Sequence, residues 1–290
     1  MRIKLCNFCR QSVLVVFCLL PLSLSAKEVD LKLPDGIVAT AEYRAGKLTK
    51  PAVLILHGNL QSRNFPLVYN LAEYLSGEGY PVLTPTLSLG ISNRSRSLPC
   101  EAIHTHTMQG DVDELRRWIN WLKSKGHKHI VLIGHSFGTI HLLSYAMNNP
   151  ATEVNKLIFI SPIDMESNVW KLDPADKKIA ENLRSKDKTA LGSFKFGFCK
   201  QLHTPADAYL SYLAWNHERI LQALTKNKIP IEIIFGDGDT VIGKNWPEQL
   251  RNAGARVSII SNASHFFEDS GAEFELFGKV GTIMSATPDR

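Results

Sequence analysis

Short apolar runs of strand length alternate with segments of helical spacing along most of this chain, and few folds accommodate that order. Residues 52–56 read AVLIL and 130–133 read IVLI, and 157–160, 231–235 and 257–260 are similar. Runs without polar alternation are what strands need when both faces are covered. Between them, residues 67–75 have helical spacing ended by Gly77 and Gly79. Residues 111–125 place Val112, Leu115, Ile119 and Leu122 on one helical face, with Asp113 and Arg117 four apart and able to pair. A short strand is expected at 81–84, a helix from Phe137 to about Pro150, and a last helix from near Gly271. At the front, residues 29–33 and 37–43 flank Pro34-Asp35-Gly36, the turn chemistry of a hairpin. The expected architecture is α/β: a mostly parallel sheet with helices on both faces.

The alternation lapses over 163–228. A charged stretch (171–188) is followed by an aromatic one containing Phe194, Phe196, Phe198, Tyr209, Tyr212 and Trp215. We read this interval as a helical cap inserted over the sheet. The competing reading is a set of ordinary crossover helices whose aromatics pack the core.

The first 26 residues differ from the rest. Arg2, Lys4 and Arg10 precede an apolar run over 13–20, Pro21 breaks it, and Leu24-Ser25-Ala26 offers a small residue for cleavage. This is the pattern of a secretory signal peptide, and the run is too short for a stable membrane span. The expected mature chain is therefore 27–290, exported to the periplasm or secreted. Three of the basic residues leave with the leader, so the formal charge of the 290-residue chain, +5, drops to +2. Neither nucleic acid nor an anionic membrane is implied as a partner. Cys6, Cys9 and Cys18 leave too, and Cys100 and Cys199 can either form one bridge or remain two buried thiols.

Chemistry concentrates at the ends of the expected strands. Gly134-His135-Ser136-Phe137-Gly138 follows a buried strand and opens a helix, the context in which G-x-S-x-G carries meaning. The sharp turn would hold the Ser136 hydroxyl at the carboxyl edge of the sheet, with the helix N-terminus directed at developing negative charge. Among ten histidines, His265 stands late, just past the last strand, where a loop can return an imidazole to the serine. His104, His106, His127, His129, His203 and His217 read as surface or loop residues, and His141 as a packing residue. His104-Thr105-His106 lacks a clear third ligand for a metal. For the acid, Asp239 has the spacing from Gly236 that such a loop uses; Asp237 reads as a turn residue and Asp164 as a third contender. Backbone N–H groups of Asn59, after Leu56-His57-Gly58, and of Phe137 are the expected oxyanion donors.

These stretches, in this order, resemble the α/β-hydrolase superfamily from about Val29 to the last helix. In detail the chain is similar to serine hydrolases of the monoacylglycerol lipase and serine aminopeptidase kind. The His57-Gly58-Asn59 stretch also resembles haloalkane dehalogenases, whose aspartate nucleophile Ser136 replaces. The resemblance implies a Ser136–His265–Asp239 triad, an acyl-enzyme intermediate, a small-molecule acyl substrate, and no metal or organic cofactor. Ester, thioester and peptide bonds all suit such a triad, and a non-catalytic binding protein on the same fold is the rival class.

Overall fold

The computed structural model describes residues 26–148, 150–187 and 189–286; the leader expected over 1–26 lies, but for Ala26, outside them. In chain order the elements are β1 (Lys27–Lys32), β2 (Val38–Arg44), β3 (Ala52–Leu56), α1 (Pro66–Gly77), β4 (Val82–Thr86), α2 (Met108–Ser124), β5 (Ile130–His135) and α3 (Gly138–Met147). There follow β6 (Val154–Ile160), α4 (Pro174–Lys186), β7 (Leu191–Phe196), β8 (Cys199–Pro205), α5 (Ala206–Leu213) and α6 (His217–Lys226). The chain closes with β9 (Ile231–Gly236), α7 (Trp246–Asn252), β10 (Arg256–Ile260) and α8 (Ser270–Ser285).

Eight strands form one sheet in the order β1-β2-β4-β3-β5-β6-β9-β10. The β1–β2 and β2–β4 pairs are antiparallel and the remaining pairs are parallel. The unbroken apolar runs sit where covered strands are needed: every residue of β3 and β5 is buried. One apolar cluster lies under α2 and α3, with Leu54, Leu115, Trp118 and Leu142; the other lies under α1 and α8, with Val53, Leu71, Ile133 and Leu276. Successive residues of one strand thus feed opposite layers, as the two-residue period of a strand requires. The amphipathic face of α2 is fully buried as expected, but Asp113 pairs with Arg116, three residues on, rather than with Arg117. Arg116 is also the residue that reaches the Asn148 carbonyl, on the neighbouring segment.

Between β6 and β9 the chain forms more than helices. Helices α4, α5 and α6 are joined by an antiparallel ribbon, β7–β8, which helical spacing alone does not reveal. Its alternation of exposed and buried residues buries Phe194 and Phe196 of β7. Phe194 stacks on Tyr209 of α5 at 4.2 Å between ring centroids. A disulfide joins Cys100, in the β4–α2 segment, to Cys199 at the start of β8, with Cα atoms 5.3 Å apart across a sequence separation of 99. No helix among the described residues is long and apolar enough to cross a membrane.

Candidate active site

Ser136 occupies the turn between β5 and α3 with φ of 53°. A non-glycine residue there carries strain on the order of 1–3 kcal/mol, held by its surroundings. The glycines on either side allow the approach. A Cβ on Gly138 would lie 2.4 Å from the His57 carbonyl oxygen, and one on Gly134 would lie 2.9 Å from Leu142 Cδ1. The β3 loop and helix α3 therefore close on the serine only because both positions lack side chains.

Two further loops at the same edge of the sheet converge on this turn. His265, past β10, places Nε2 2.9 Å from Ser136 Oγ and Nδ1 2.8 Å from Asp239 Oδ2, past β9. A carboxylate oxygen only accepts, so Nδ1–H donates to Asp239 and the Nε2 lone pair faces the serine hydroxyl. The Asp239 side chain is fully buried. Asp237 instead accepts from the Asn262 N–H at 2.6 Å, tying the β9 and β10 loops together. Asp164 is engaged by His217 and by the Gly243 N–H, each at 3.1 Å. Of the three aspartates, the geometry brings only Asp239 to His265.

The segment after β3 is pinned by the His57 side chain, whose bonds the His57-Gly58-Asn59 stretch does not specify, and by Arg94, which no motif marked. Leu87 N–H must donate to His57 Nε2 (3.1 Å), so the His57 proton is on Nδ1, which donates to the Gly58 carbonyl at 2.8 Å. Burial, reinforced by the Arg94 charge, lowers the pKa of His57 to about 3, which keeps the ring in this neutral form. The Gln61 N–H reaches the same Gly58 oxygen at 3.2 Å. Because the Gly58–Asn59 peptide is trans, fixing that carbonyl turns the Asn59 N–H to the opposite side. The Arg94 guanidinium, itself buried, donates to the carbonyls of Leu60 (2.8 Å), Leu87 (2.5 Å) and Gln61, clamping two loops. Burial lowers its pKa to about 10. His135, the variable residue before Ser136, meets the His265 carbonyl at 3.0 Å through Nε2, necessarily as donor, and stacks on Phe65. Burial, with the adjacent His265, lowers its pKa to about 3. Phe137 caps the N-terminus of α3, just before its first residue, Gly138, and its ring stacks on Trp170 at 5.3 Å.

Of the histidines expected on surfaces or in loops, three that lie in loops are nonetheless buried or nearly so. His104 is 3 % and His127 5 % exposed; His127 Nε2 meets the Tyr43 hydroxyl at 3.1 Å. His106 joins His141 and Tyr212 around Asp111. Asp111 Oδ1 accepts from His106 Nδ1 at 2.7 Å, and Oδ2 accepts from His141 Nε2 at 2.9 Å and from the Tyr212 hydroxyl at 2.5 Å. Burial alone would raise the Asp111 pKa, but the charges and hydrogen bonds of His106 and His141 hold it below the usual carboxylate range. His141 does pack, as expected, and is also part of this polar centre. The signal available in the sequence was Asp111 and His141 on two helices flanking the elbow strand; Tyr212 comes from a separate segment. Among the described residues no group of His, Cys, Asp or Glu side chains has the arrangement of a metal site.

Fold and site now define the class. Residues 51–205 match the alpha/beta hydrolase fold family, and the chain belongs to that family. Curated protein sequences contain no match to it. Solved structures similar to it include Est1E from Butyrivibrio proteoclasticus, at 16% identity and a TM-score of 0.63 over 90% of this chain and 99% of that one. A thioesterase domain from the curacin biosynthetic pathway gives 16% identity and a TM-score of 0.62 over 90% and 99%. The esterase Pf2001 of Pyrococcus furiosus gives 19% identity and a TM-score of 0.61 over 90% and 92%. At such identities the likeness is one of fold.

Proposed function

We propose that the protein is a serine hydrolase that cleaves a carboxylic ester or a related acyl bond through Ser136, His265 and Asp239. The observation that carries this reading is the unbroken relay from the Ser136 hydroxyl through His265 to the buried Asp239 carboxylate. His265 Nε2 takes the Ser136 proton as Oγ bonds to the substrate carbonyl carbon. The oxyanion so formed is held by the N–H groups of Asn59, oriented through His57, and Phe137. Collapse of the tetrahedral species breaks the bond to the leaving group, which receives the proton from His265. Water then repeats the sequence on the acyl-enzyme, returning the proton to Ser136. The insertion over 163–228 acts as a cap: Trp170, Phe196 and Tyr212 pack on the Phe137 ring, and Phe198 lies against Phe266 beside His265. This cap is what relates the chain to the monoacylglycerol lipase and serine aminopeptidase kind. The substrate is a small acyl compound.

The same reading places the mature chain outside the cytoplasm, beginning near Lys27. It is supported by the basic and apolar leader and by the bridge, which an oxidising compartment maintains. N-terminal sequencing of the native protein tests it; an intact Met1 would overturn it. For the chemistry, the test is labelling by a fluorophosphonate with the adduct mapped by mass spectrometry. The expected result is a single adduct on Ser136 and loss of ester turnover. An unlabelled Ser136 in folded protein that turns over no ester would leave the rival, a binding protein on this fold.

A further inference from the structure

Three phenylalanines from three separate segments meet beside the catalytic imidazole. Phe266 follows His265 in the loop past β10, and its ring stands edge-on to the His265 ring with centroids 5.0 Å apart. Phe65, which caps the N-terminus of α1, lies 5.8 Å from the Phe266 ring, again edge to face, and stacks on His135 at 5.7 Å. Phe198, in the turn of the β7–β8 ribbon, lies 6.0 Å from Phe266. The rings form one continuous patch, with Phe266 at its centre and in contact with His265.

This patch is not core. Phe198 is 52 % exposed, and Phe65 and Phe266 are each partly exposed. The aromatics gathered around the Phe137 ring differ: Phe137, Trp170, Phe196 and Tyr212 are each 5 % exposed or less. Those four fill space with one another, whereas the three at His265 keep apolar surface in water. Such surface at the rim of a site gains free energy when a ligand covers it. The rings are also held in place before anything binds. Cys199, next to Phe198, is bridged to Cys100. The Phe65 N–H donates to the Ser62 carbonyl at 3.0 Å, and the Phe266 N–H to Ser264 Oγ at 3.2 Å. A ligand that meets them pays little for ordering them.

Their place relative to the relay decides which part of a substrate they touch. In acyl transfer His265 Nε2 hands its proton to the leaving group, so that group departs beside the imidazole. The oxyanion faces the Asn59 and Phe137 N–H groups instead. Rings contiguous with His265 are therefore placed to meet the alcohol portion of an ester. The edge-to-face spacing of 5–6 Å among them is one that a further ring can extend, and such pairs gain more than the area they bury.

Resting on the serine hydrolase reading above, we propose that Phe65, Phe198 and Phe266 form the leaving-group subsite, and that the preferred substrate is an ester whose alcohol portion carries an aromatic ring.

The test compares kcat/KM for 2-phenylethyl acetate and ethyl acetate, in the parent protein and in Phe198→Ala, since kcat/KM senses the leaving group before it departs. The parent is expected to favour the aromatic alcohol by roughly tenfold or more, and Phe198→Ala to lower that ratio by about threefold or more. A second pair, ethyl 3-phenylpropanoate and ethyl propanoate, moves the ring to the acyl side; the ratio between these two should be the same in parent and variant. A ratio near or below one for the first pair in the parent overturns the subsite. So does a high ratio that Phe198→Ala leaves unchanged, or a variant that lowers the second ratio in place of the first. Should the variant not fold, capture of the acyl-enzyme decides the matter. During turnover of p-nitrophenyl acetate an added alcohol takes the place of water: its oxygen bonds to the acyl carbon, the bond to Ser136 Oγ breaks, and the alcohol proton passes through His265 to that oxygen. At equal concentration 2-phenylethanol should capture roughly tenfold more acetyl groups than ethanol; equal or poorer capture overturns the proposal. Equal turnover of the first pair, with Ser136 labelled by fluorophosphonate, removes the subsite and keeps the hydrolase. Failure of both turnover and labelling removes the hydrolase and the subsite with it.

Discussion

Two histidine–carboxylate assemblies flank the same serine, and they are wired differently. In one, Asp239 holds a single imidazole, His265, whose far nitrogen meets the Ser136 hydroxyl. In the other, Asp111 gathers two imidazoles and a phenol, and no serine, threonine or cysteine follows in line. Each carboxylate fixes the tautomer of its imidazoles in the same way. What differs is the group at the end of the chain: a polarised hydroxyl in the first, unpaired ring nitrogens in the second. The same residue types thus end in a hydroxyl where the geometry is linear and in unpaired ring nitrogens where it is branched. The two assemblies also differ in what carries them. Ser136, Asp239 and His265 stand on loops at the ends of sheet strands, whereas Asp111, His141 and Tyr212 stand on helices α2, α3 and α5.

The sharpest way to break the comparison is Ser136→Ala. It should lower ester turnover by about 10⁴-fold or more, with an unfolding midpoint near that of the parent, because the serine is a tip residue and not core packing. Near-parental turnover in material free of the parent enzyme would transfer the chemistry elsewhere. Next in size, Asp239→Asn should reduce kcat by about 10³–10⁴-fold by leaving His265 in the wrong tautomer. Asp237→Asn and Asp164→Asn should each cost less than about tenfold, since their partners are backbone groups of the β9 and β10 loops and His217. A reversed order in steady-state kinetics would mean that Asp239 is only a turn residue.

What could be read before any coordinates follows from the same contrast. Ser136, Asp239 and His265 were legible because each lies just beyond a strand whose apolar run announces it, and the end of a strand fixes where the next loop starts. The Asp111 centre was not legible. Its members are separated by up to 106 residues, and α5 reaches α2 only through the packing of the 163–228 segment, where the strand–helix alternation lapses. The β7–β8 ribbon was hidden for a related reason: Phe194 and Phe196 alternate as strand residues do, but over too few positions to stand out within an aromatic stretch. Arg94 escaped notice, and His57 was noticed only as part of the His57-Gly58-Asn59 stretch, because their partners are backbone carbonyls and amides, which leave no mark on the sequence.

The bridge offers a third way to separate the two assemblies. Cys100 lies four residues before His104, and Cys199 begins the strand that carries Leu202 to the core. The Cys100→Ser/Cys199→Ser double variant should lose about 4–5 kcal/mol of unfolding free energy in urea, the chain-entropy expectation for a loop of this length. Where the variant remains folded, fluorophosphonate should still label Ser136, because no member of that relay is anchored by the bridge. Loss of labelling in folded variant would show that the bridge supports the Ser136 relay after all.

The smallest effect concerns two carboxylates one turn apart on α2. Asp111 has three donors from three side chains; Glu114 is bonded by Ser88, through its N–H at 3.0 and 3.1 Å to the two oxygens and its hydroxyl at 2.6 Å, with the Trp118 indole beside it. Burial outweighs those bonds, the Asp111 charge adds to it, and the Glu114 pKa is raised from 4.5 to about 7. Between those two values the folded chain holds a proton that the unfolded chain releases. The stabilisation is therefore complete below about pH 4.5 and is lost as pH rises through about 7, a loss on the order of 3 kcal/mol by pH 8. Glu114→Gln keeps the shape and removes the titration. Urea denaturation at pH 5 and pH 8 should show the parent losing more stability than the variant over that interval by about this amount. Asp111, held low, acts in the opposite sense: its contribution is present above the ordinary aspartate pKa and fades only as the solution becomes strongly acid. Equal losses in parent and Glu114→Gln would mean that Ser88 satisfies the ionised Glu114 as fully as His106, His141 and Tyr212 satisfy Asp111, and the number of donors would no longer distinguish the two carboxylates.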